Sequence, residues 1–187
     1  EPGDALTKSE TTYLSIADEK GNMISFINSV AATFGSGVVV PGTGFVLQNR
    51  GSGFTLEAGL ANTVAPRKRP FHTIIPAFVT RRNEEGKQVP WLSYGVMGGS
   101  MQPQGHVQVL LNLLEFDMDL QEALDAPRFR HLEGLEVALE PAIPEIVRRH
   151  LAVRGHEIVD PKEVFFGGGQ AVMRLDRGWA GASDPRM

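Results

Sequence analysis

The chain of 187 residues contains no cysteine, which removes disulfides, thiol nucleophiles and thiolate metal sites together. It has no apolar run near the roughly 20 residues needed to cross a bilayer, so no membrane span is expected. No charged stretch followed by an apolar core opens it, although an upstream or already removed leader is compatible with both absences. A net positive charge is absent as well. The formal net charge is -4 and the pI near 5.7, and the one basic cluster is PRKRP around Arg67 to Arg69, so the chain carries no electrostatic footprint for nucleic acid. There is no internal repeat, heptad or low-complexity tract. No G-x-x-x-x-G-K-[ST] phosphate loop or G-x-S-x-G elbow occurs. His106, in QPQGHVQ, has no second histidine or carboxylate at metal-ligand spacing, and neither a metal nor a cofactor is expected. A Ser-His-Asp triad can be written from Ser100, His72 or His106, and Asp125, but chain order alone gives it no geometry.

What is present is globular material, 42% hydrophobic and 21% charged, of a length that fits one domain or a large part of one. Residues 1–10, EPGDALTKSE, read as a loop or tail, with order beginning at Thr11. Thr12, Leu14 and Ile16 then alternate with Thr11, Tyr13 and Ser15. Asp18 to Asn22 supplies a turn and Met23 to Val30 resumes the pattern, which predicts a hairpin. From Phe34 to Asn49 glycines alternate with Val38, Val39, Val40, Phe45, Val46 and Leu47, as in irregular strands bent by glycine. Residues 50–66 read as a long loop, and Ile74–Thr80 with Trp91–Val96 as a second strand pair across RRNEEGK.

Helices come later. Val107, Leu110, Leu111 and Leu114 sit at helical spacing within 105–116. Asp119 is placed to cap a second helix that Pro127 stops, and a third runs from Pro144 to Arg154 and closes at Gly155. Both of the first two should face the sheet. Further strands are expected at Gln170–Leu175 and around Trp179, with FFGGGQ a turn leading into the first, and DPKE and RRNEEGK solvated turns. Because strands come in adjacent hairpins instead of alternating with helices, the expected class is an α+β layered sandwich. Asp184 and Arg186 are expected to form a structural ion pair.

Two features carry chemistry. A threonine hydroxyl is a weak nucleophile, but a threonine that begins a chain has its own α-amine within reach as general base, with a pKa of roughly 7.7 to 8.0. Thr11 qualifies once the bond after Glu10 is cut; otherwise Thr11-Thr12 is ordinary strand sequence. The run YGVMGGS ends an apolar strand in Gly98 and Gly99, whose amides can approach a reacting carbonyl unhindered, or which make a tight strand-to-helix turn.

Taken in order, TTYLSIADEKGNMIS, FGSGVVVPGTGFVLQN, KRPFHTIIP, VMGGSMQPQGHVQ, DAPRFR and the closing GASDPR resemble the small subunit of the gamma-glutamyltransferase family (gamma-glutamyltranspeptidases), which are N-terminal-nucleophile hydrolases. The resemblance runs from Thr11 to the last residues. It implies a four-layer αββα fold and a precursor that cuts itself between Glu10 and Thr11. Residues 1–10 are then the end of the large subunit or a remnant, and 11–187 the small-subunit catalytic domain. It implies as partners a large subunit from the same precursor, which contributes an arginine to substrate binding, a small-molecule amide substrate, and a possible higher oligomer of heterodimers. Family members are often periplasmic or extracellular. By the same resemblance Thr11 is the nucleophile, Ser29 a supporting hydroxyl, Gly98 and Gly99 the oxyanion-binding pair, Thr33 a further hydroxyl position, and His72 and Thr73 the α-carboxylate-binding pair.

The departures from the family pattern bear on the substrate. Gly53 stands where the transpeptidases carry an acidic partner for the glutamyl α-amine, Ala31 replaces an amide side chain, and Arg50 replaces a glutamine. A buried ammonium without its carboxylate is costly, whereas a guanidinium suits a carboxylate held bidentately, unless Arg50 points to solvent. The expectation is an amidohydrolase acting on a gamma-glutamyl-like or diacid-derived amide, with hydrolysis favoured over transfer. The alternatives are a true transpeptidase acting on glutathione and an uncleaved, non-catalytic scaffold.

Overall fold

The computed structural model describes residues 9–162 and 164–186. The expected loop at 1–10 lies outside them up to residue 8, and Ser9 and Glu10 already belong to a strand, two residues before the predicted start. Strands β1 (Ser9–Ala17) and β2 (Met23–Ala32) form the predicted antiparallel hairpin. Its turn is closed by Asp18, whose carboxylate accepts from the backbone of Lys20 and Asn22, both at 2.9 Å.

The main sheet has four strands in the order β3 (Ala77–Arg82), β4 (Gln88–Met97), β8 (Gly168–Arg174), β9 (Trp179–Ser183), all antiparallel. The second predicted pair is therefore present but shifted: Pro76 holds off β3 until Ala77, and β4 begins at Gln88, three residues early. Residues 34–49 do not form the expected strands. Only an isolated bridge joins Val39 to Val46, because Gly35, Gly37, Gly42 and Gly44 all take positive φ and turn the backbone. The 50–66 loop is as expected apart from one short 3-10 turn at Arg50–Gly53.

Helix α1 (Met101–Leu114) starts four residues before the predicted one, with Pro103 tolerated in its first turn, where its missing N–H costs no hydrogen bond. Helix α2 (Leu120–Asp125) opens on the Asp119 capping box with Glu122. Both cover one face of the main sheet, where Leu92, Tyr94 and Val96 of β4 pack with Val109, Leu120 and Leu124. A third, unpredicted sheet joins β5 (Phe129–His131), β6 (Glu136–Leu139) and β7 (Glu157–Val159), with α3 (Glu145–Val153) crossing between the parallel pair β6 and β7.

The other face of β4 receives the hairpin, and glycine makes the contact possible. A Cβ on Gly95 would lie 2.4 Å from the Tyr13 ring. The surrounding contacts are hydroxyls. Ser15 Oγ donates to Ser93 Oγ at 2.7 Å, Ser93 Oγ donates to the Ile24 carbonyl at 2.8 Å, and Tyr13 Oη meets Ser25 Oγ at 2.7 Å. Layers thus run hairpin, sheet, helices. The outward face of the hairpin carries Leu14, Ile16, Ile24 and Phe26, all exposed, where a fourth layer would lie.

Gly95→Ala is expected to destabilise the full-length precursor by about 1–3 kcal/mol through overpacking against Tyr13, read as a lowered denaturation midpoint. An unchanged midpoint would mean that the hairpin slides on β4 at no cost.

Candidate active site

Thr11 sits near the start of β1, half-buried, and its Oγ1 donates to Ser29 Oγ at 3.0 Å across the hairpin, where the two residues are register partners. The register shifts between Glu10 and Thr11, where the pairing skips Val30 of β2, so the ladder is irregular at the bond singled out from the sequence. Opposite it Ala31 takes φ 74°, a left-handed conformation uncommon for a residue with a Cβ. Its amide donates to Ser29 Oγ at 3.1 Å, and the next amide, Ala32, donates to Asn49 Oδ1 at 3.0 Å. Arg50 completes the cluster: Nη2 donates to Ser29 Oγ at 2.7 Å. Arg50 therefore does not point to solvent. It is half-buried, burial lowers its pKa, and its buried Nε has no hydrogen-bond partner among the described residues.

The hairpin contacts give the direction to the glycine pair. Ser15 meets Ser93 and Tyr13 meets Gly95, so each two-residue step along β1 matches an opposite step along β4. Continuing that step carries Thr11 toward Met97 and the Gly98-Gly99 end. Gly98 and Gly99 have φ of 136° and 57°, and their carbonyls accept from Met101 and Gln102 to open α1. A Cβ on Gly98 would meet Gly167 Cα at 2.9 Å and the Phe165 ring at 3.2 Å. The glycine pair is thus both a tight strand-to-helix turn and a backbone held in one orientation by the 165–167 segment.

That segment is tied down by a charge cluster that the sequence reading saw only in part. The expected Arg186–Asp184 pair is present at 2.9 Å, but Asp184 also holds Arg128 at 2.6 Å, with both of those side chains essentially without solvent contact. Arg128 Nη1 donates to the carbonyls of Phe166 and Gly167, both at 3.2 Å, and Arg186 pairs with Glu140 at 2.6 Å. Burial lowers the pKa of Arg128, while the hydrogen bonds that Arg186 donates to Glu140 and then to Asp184 raise its own.

The remaining candidates divide. His72 is exposed and Thr73 half-buried, on a segment held by Phe71 N to Asn62 Oδ1 at 3.0 Å and by Ile75 N to Gln102 Oε1 at 3.2 Å. Gly53 lies against the Phe71 carbonyl, which brings the Arg50 loop and this segment together. Thr33 is half-buried one residue past β2. The paper triad is not assembled. Ser100 accepts from Arg130 at 2.7 Å and Asp125 from Gln121 at 2.7 Å, while buried His106 has Nδ1 2.6 Å from the Gln102 carbonyl and Nε2 3.4 Å from the Val96 amide. His106 is structural. Asn49, Arg128, Arg130 and Gln102 are the residues the sequence reading missed; the blocks ending LQN, VMGGSMQPQGHVQ and DAPRFR, already quoted as motifs, contain them, but nothing in those blocks singles them out.

Comparison with known proteins gives the family and the fold. The family model described as gamma-glutamyltranspeptidase matches residues 2–187. A glutathione hydrolase-like proenzyme of Bacillus subtilis is 36% identical over 95% of this chain and 34% of its own length. The oxamate amidohydrolase proenzyme of Klebsiella pneumoniae is 34% identical over 99% of this chain and 34% of its own. Among solved structures, cephalosporin acylase from Bacillus halodurans superposes with a TM-score of 0.84 at 46% identity, covering 94% of this chain and 32% of that one. The fold is therefore α+β of the N-terminal-nucleophile hydrolase type. The chain belongs to the gamma-glutamyltranspeptidase family, and it spans about a third of the length of the curated relatives it matches.

Two outcomes test the scaffold. Asp184→Asn leaves Arg128 buried without its counter-charge and is expected to cost about 3–5 kcal/mol in denaturant unfolding. His106 has its pKa lowered by burial, so the folded state binds fewer protons than the unfolded one. Its contribution is present above the unfolded pKa of about 6.5 and is lost as pH falls toward the lower folded value. His106→Gln is accordingly expected to flatten the loss of melting temperature between about pH 7 and pH 5; parallel curves for both proteins would contradict the assignment.

Proposed function

We propose that this chain is the catalytic small subunit of an N-terminal-threonine amidohydrolase, matured by cleavage of its precursor between Glu10 and Thr11. The observation that carries the reading is the convergence of Thr11 Oγ1 and Arg50 Nη2, both donating to Ser29 Oγ, at a strand start whose register breaks at the Glu10–Thr11 bond. The word proenzyme in the names of both curated relatives supports processing. In the unprocessed chain Thr11 Oγ1 attacks the Glu10 carbonyl, the amide becomes an ester, and water releases Glu10 as a carboxylate and Thr11 as an amine. The large subunit is then the partner, and residues 1–10 its end or a remnant.

In the mature enzyme the α-amine of Thr11 accepts the proton of its own hydroxyl as Oγ1 adds to the substrate amide carbonyl. The amides of Gly98 and Gly99 stabilise the resulting oxyanion. Collapse breaks the C–N bond, the proton passes to the leaving amine, and the acyl group stays as an ester on Thr11. Water repeats the cycle and releases the acid. Ser29 orients Thr11 Oγ1 and is itself oriented by Arg50.

The substrate class follows from Arg50. Its buried Nε lacks a partner among the described residues, and a carboxylate on the acyl group would satisfy it, whereas Gly53 and Ala31 offer an ammonium nothing. A diacid monoamide fits this site better than a gamma-glutamyl group, with His72, Thr73 and Thr33 at its margin. One relative is named for oxamate, an amide with a carboxylate and no amine, which supports the reading; the glutathione hydrolase-like relative keeps transfer from glutathione as the second reading.

The processed protein is expected to hydrolyse monoamides of short diacids faster than glutathione. Thr11→Ala should abolish turnover and the acyl ester seen by mass spectrometry. Arg50→Gln should reduce kcat/KM for the acidic acyl group by about 30-fold or more. Preference for glutathione, with transfer to an added dipeptide, would favour the second reading; turnover retained by Thr11→Ala would exclude both.

A further inference from the structure

Among the described residues, Arg130, on β5, is the one arginine with hydrogen bonds on both sides of the glycine turn. Nη2 donates to Ser100 Oγ at 2.7 Å, directly after Gly99, and Nη1 donates to the Phe165 carbonyl at 2.9 Å. Phe165 is the residue whose ring would touch a Cβ on Gly98. The neighbouring Arg128 holds the adjoining Phe166 and Gly167 carbonyls, so two arginines spaced two residues apart grip three consecutive residues of the wall behind Gly98.

The two differ in charge balance. Arg128 is neutralised by Asp184 at 2.6 Å. Arg130 has no carboxylate partner among the described residues, and its Nε is buried without a hydrogen bond. Burial alone lowers its pKa, which does not discharge a guanidinium near neutral pH. A cation that is only partly solvated, hydrogen-bonded to both flanks of the turn and close to the N-terminal end of α1, adds to the positive potential that this helix end already presents.

We infer that Arg130 is a positioning residue for the oxyanion-binding glycine pair, fixing the Gly98-Gly99 backbone between Ser100 and Phe165 and keeping positive charge behind it. The inference rests on the reading of Thr11 as nucleophile. Its effect belongs to the transition state, since the negative oxygen exists only there, and a neutral ground-state carbonyl gains little.

The test uses the processed product of the full-length precursor, as wild type, Arg130→Met and Arg130→Lys. The readouts are kcat and KM on a diacid monoamide, melting temperature, and the affinity of an alkyl boronic acid, which adds to a threonine hydroxyl as a negatively charged tetrahedral adduct. Arg130→Met is expected to lower kcat and boronate affinity by about 10- to 100-fold, which is one to two decades below the loss of a direct oxyanion donor at most, with KM within twofold. Arg130→Lys should recover a substantial part of both. Unchanged kcat in Arg130→Met, a loss confined to KM, or equal losses in Met and Lys variants that track melting temperature would overturn the inference. Wild-type turnover that survives Thr11→Ala and binds no boronate would overturn the nucleophile reading, and this inference with it.

Discussion

The contact on which the rest depends is a ring laid where a side chain is missing. The Tyr13 ring packs on Gly95, in the space that any Cβ would fill, and this lets a two-stranded hairpin approach the four-stranded sheet closely enough for serine hydroxyls to bond across the gap. Ser15, Ser25 and Ser93 then fix the sliding register. An apolar interface would be indifferent to a shift of a few ångströms; short hydroxyls are not, because a shift leaves buried polar groups unpaired. Continued along the strands, this one registration directs the Thr11 end of β1 toward the Gly98 end of β4.

Charge supplies the second constraint. The Arg128–Asp184 pair is buried and hydrogen-bonded on both partners, and it gathers the end of α2, the 165–167 turn and the last residues of the chain at one point. A pair of this kind is weak evidence for stability, but a packing that separates its partners leaves a buried charge uncompensated. Here the geometry it defines is the wall behind the glycine turn.

Much of this was legible in the sequence, for identifiable reasons. The β1–β2 hairpin and the Asp119 cap are local patterns, and period-two alternation and a capping box survive any tertiary context. The start of α1 was misread because Pro103 and Gly105 interrupt the apolar spacing, although both belong there, Gly105 because a Cβ would strike Val96. The β5–β7 sheet was missed because its strands are three or four residues long and too short to show a period. At the proposed site, Thr11 and the glycine pair stand out as residue types in context. The contacts of Arg50 with Ser29, of Asn49 with Ala32 and of Arg130 with Phe165 join residues 17 to 35 apart, and no local signal announces such a meeting.

The account turns on one covalent event: Thr11 must become a chain start, because only then does its hydroxyl have an amine beside it. The most direct measurement is intact mass with N-terminal sequencing of the protein purified after expression of the full-length precursor. The account predicts two polypeptides, the smaller beginning Thr-Thr-Tyr-Leu. A single polypeptide that still joins Glu10 to Thr11 after prolonged incubation would contradict it and leave a fold that binds without cutting.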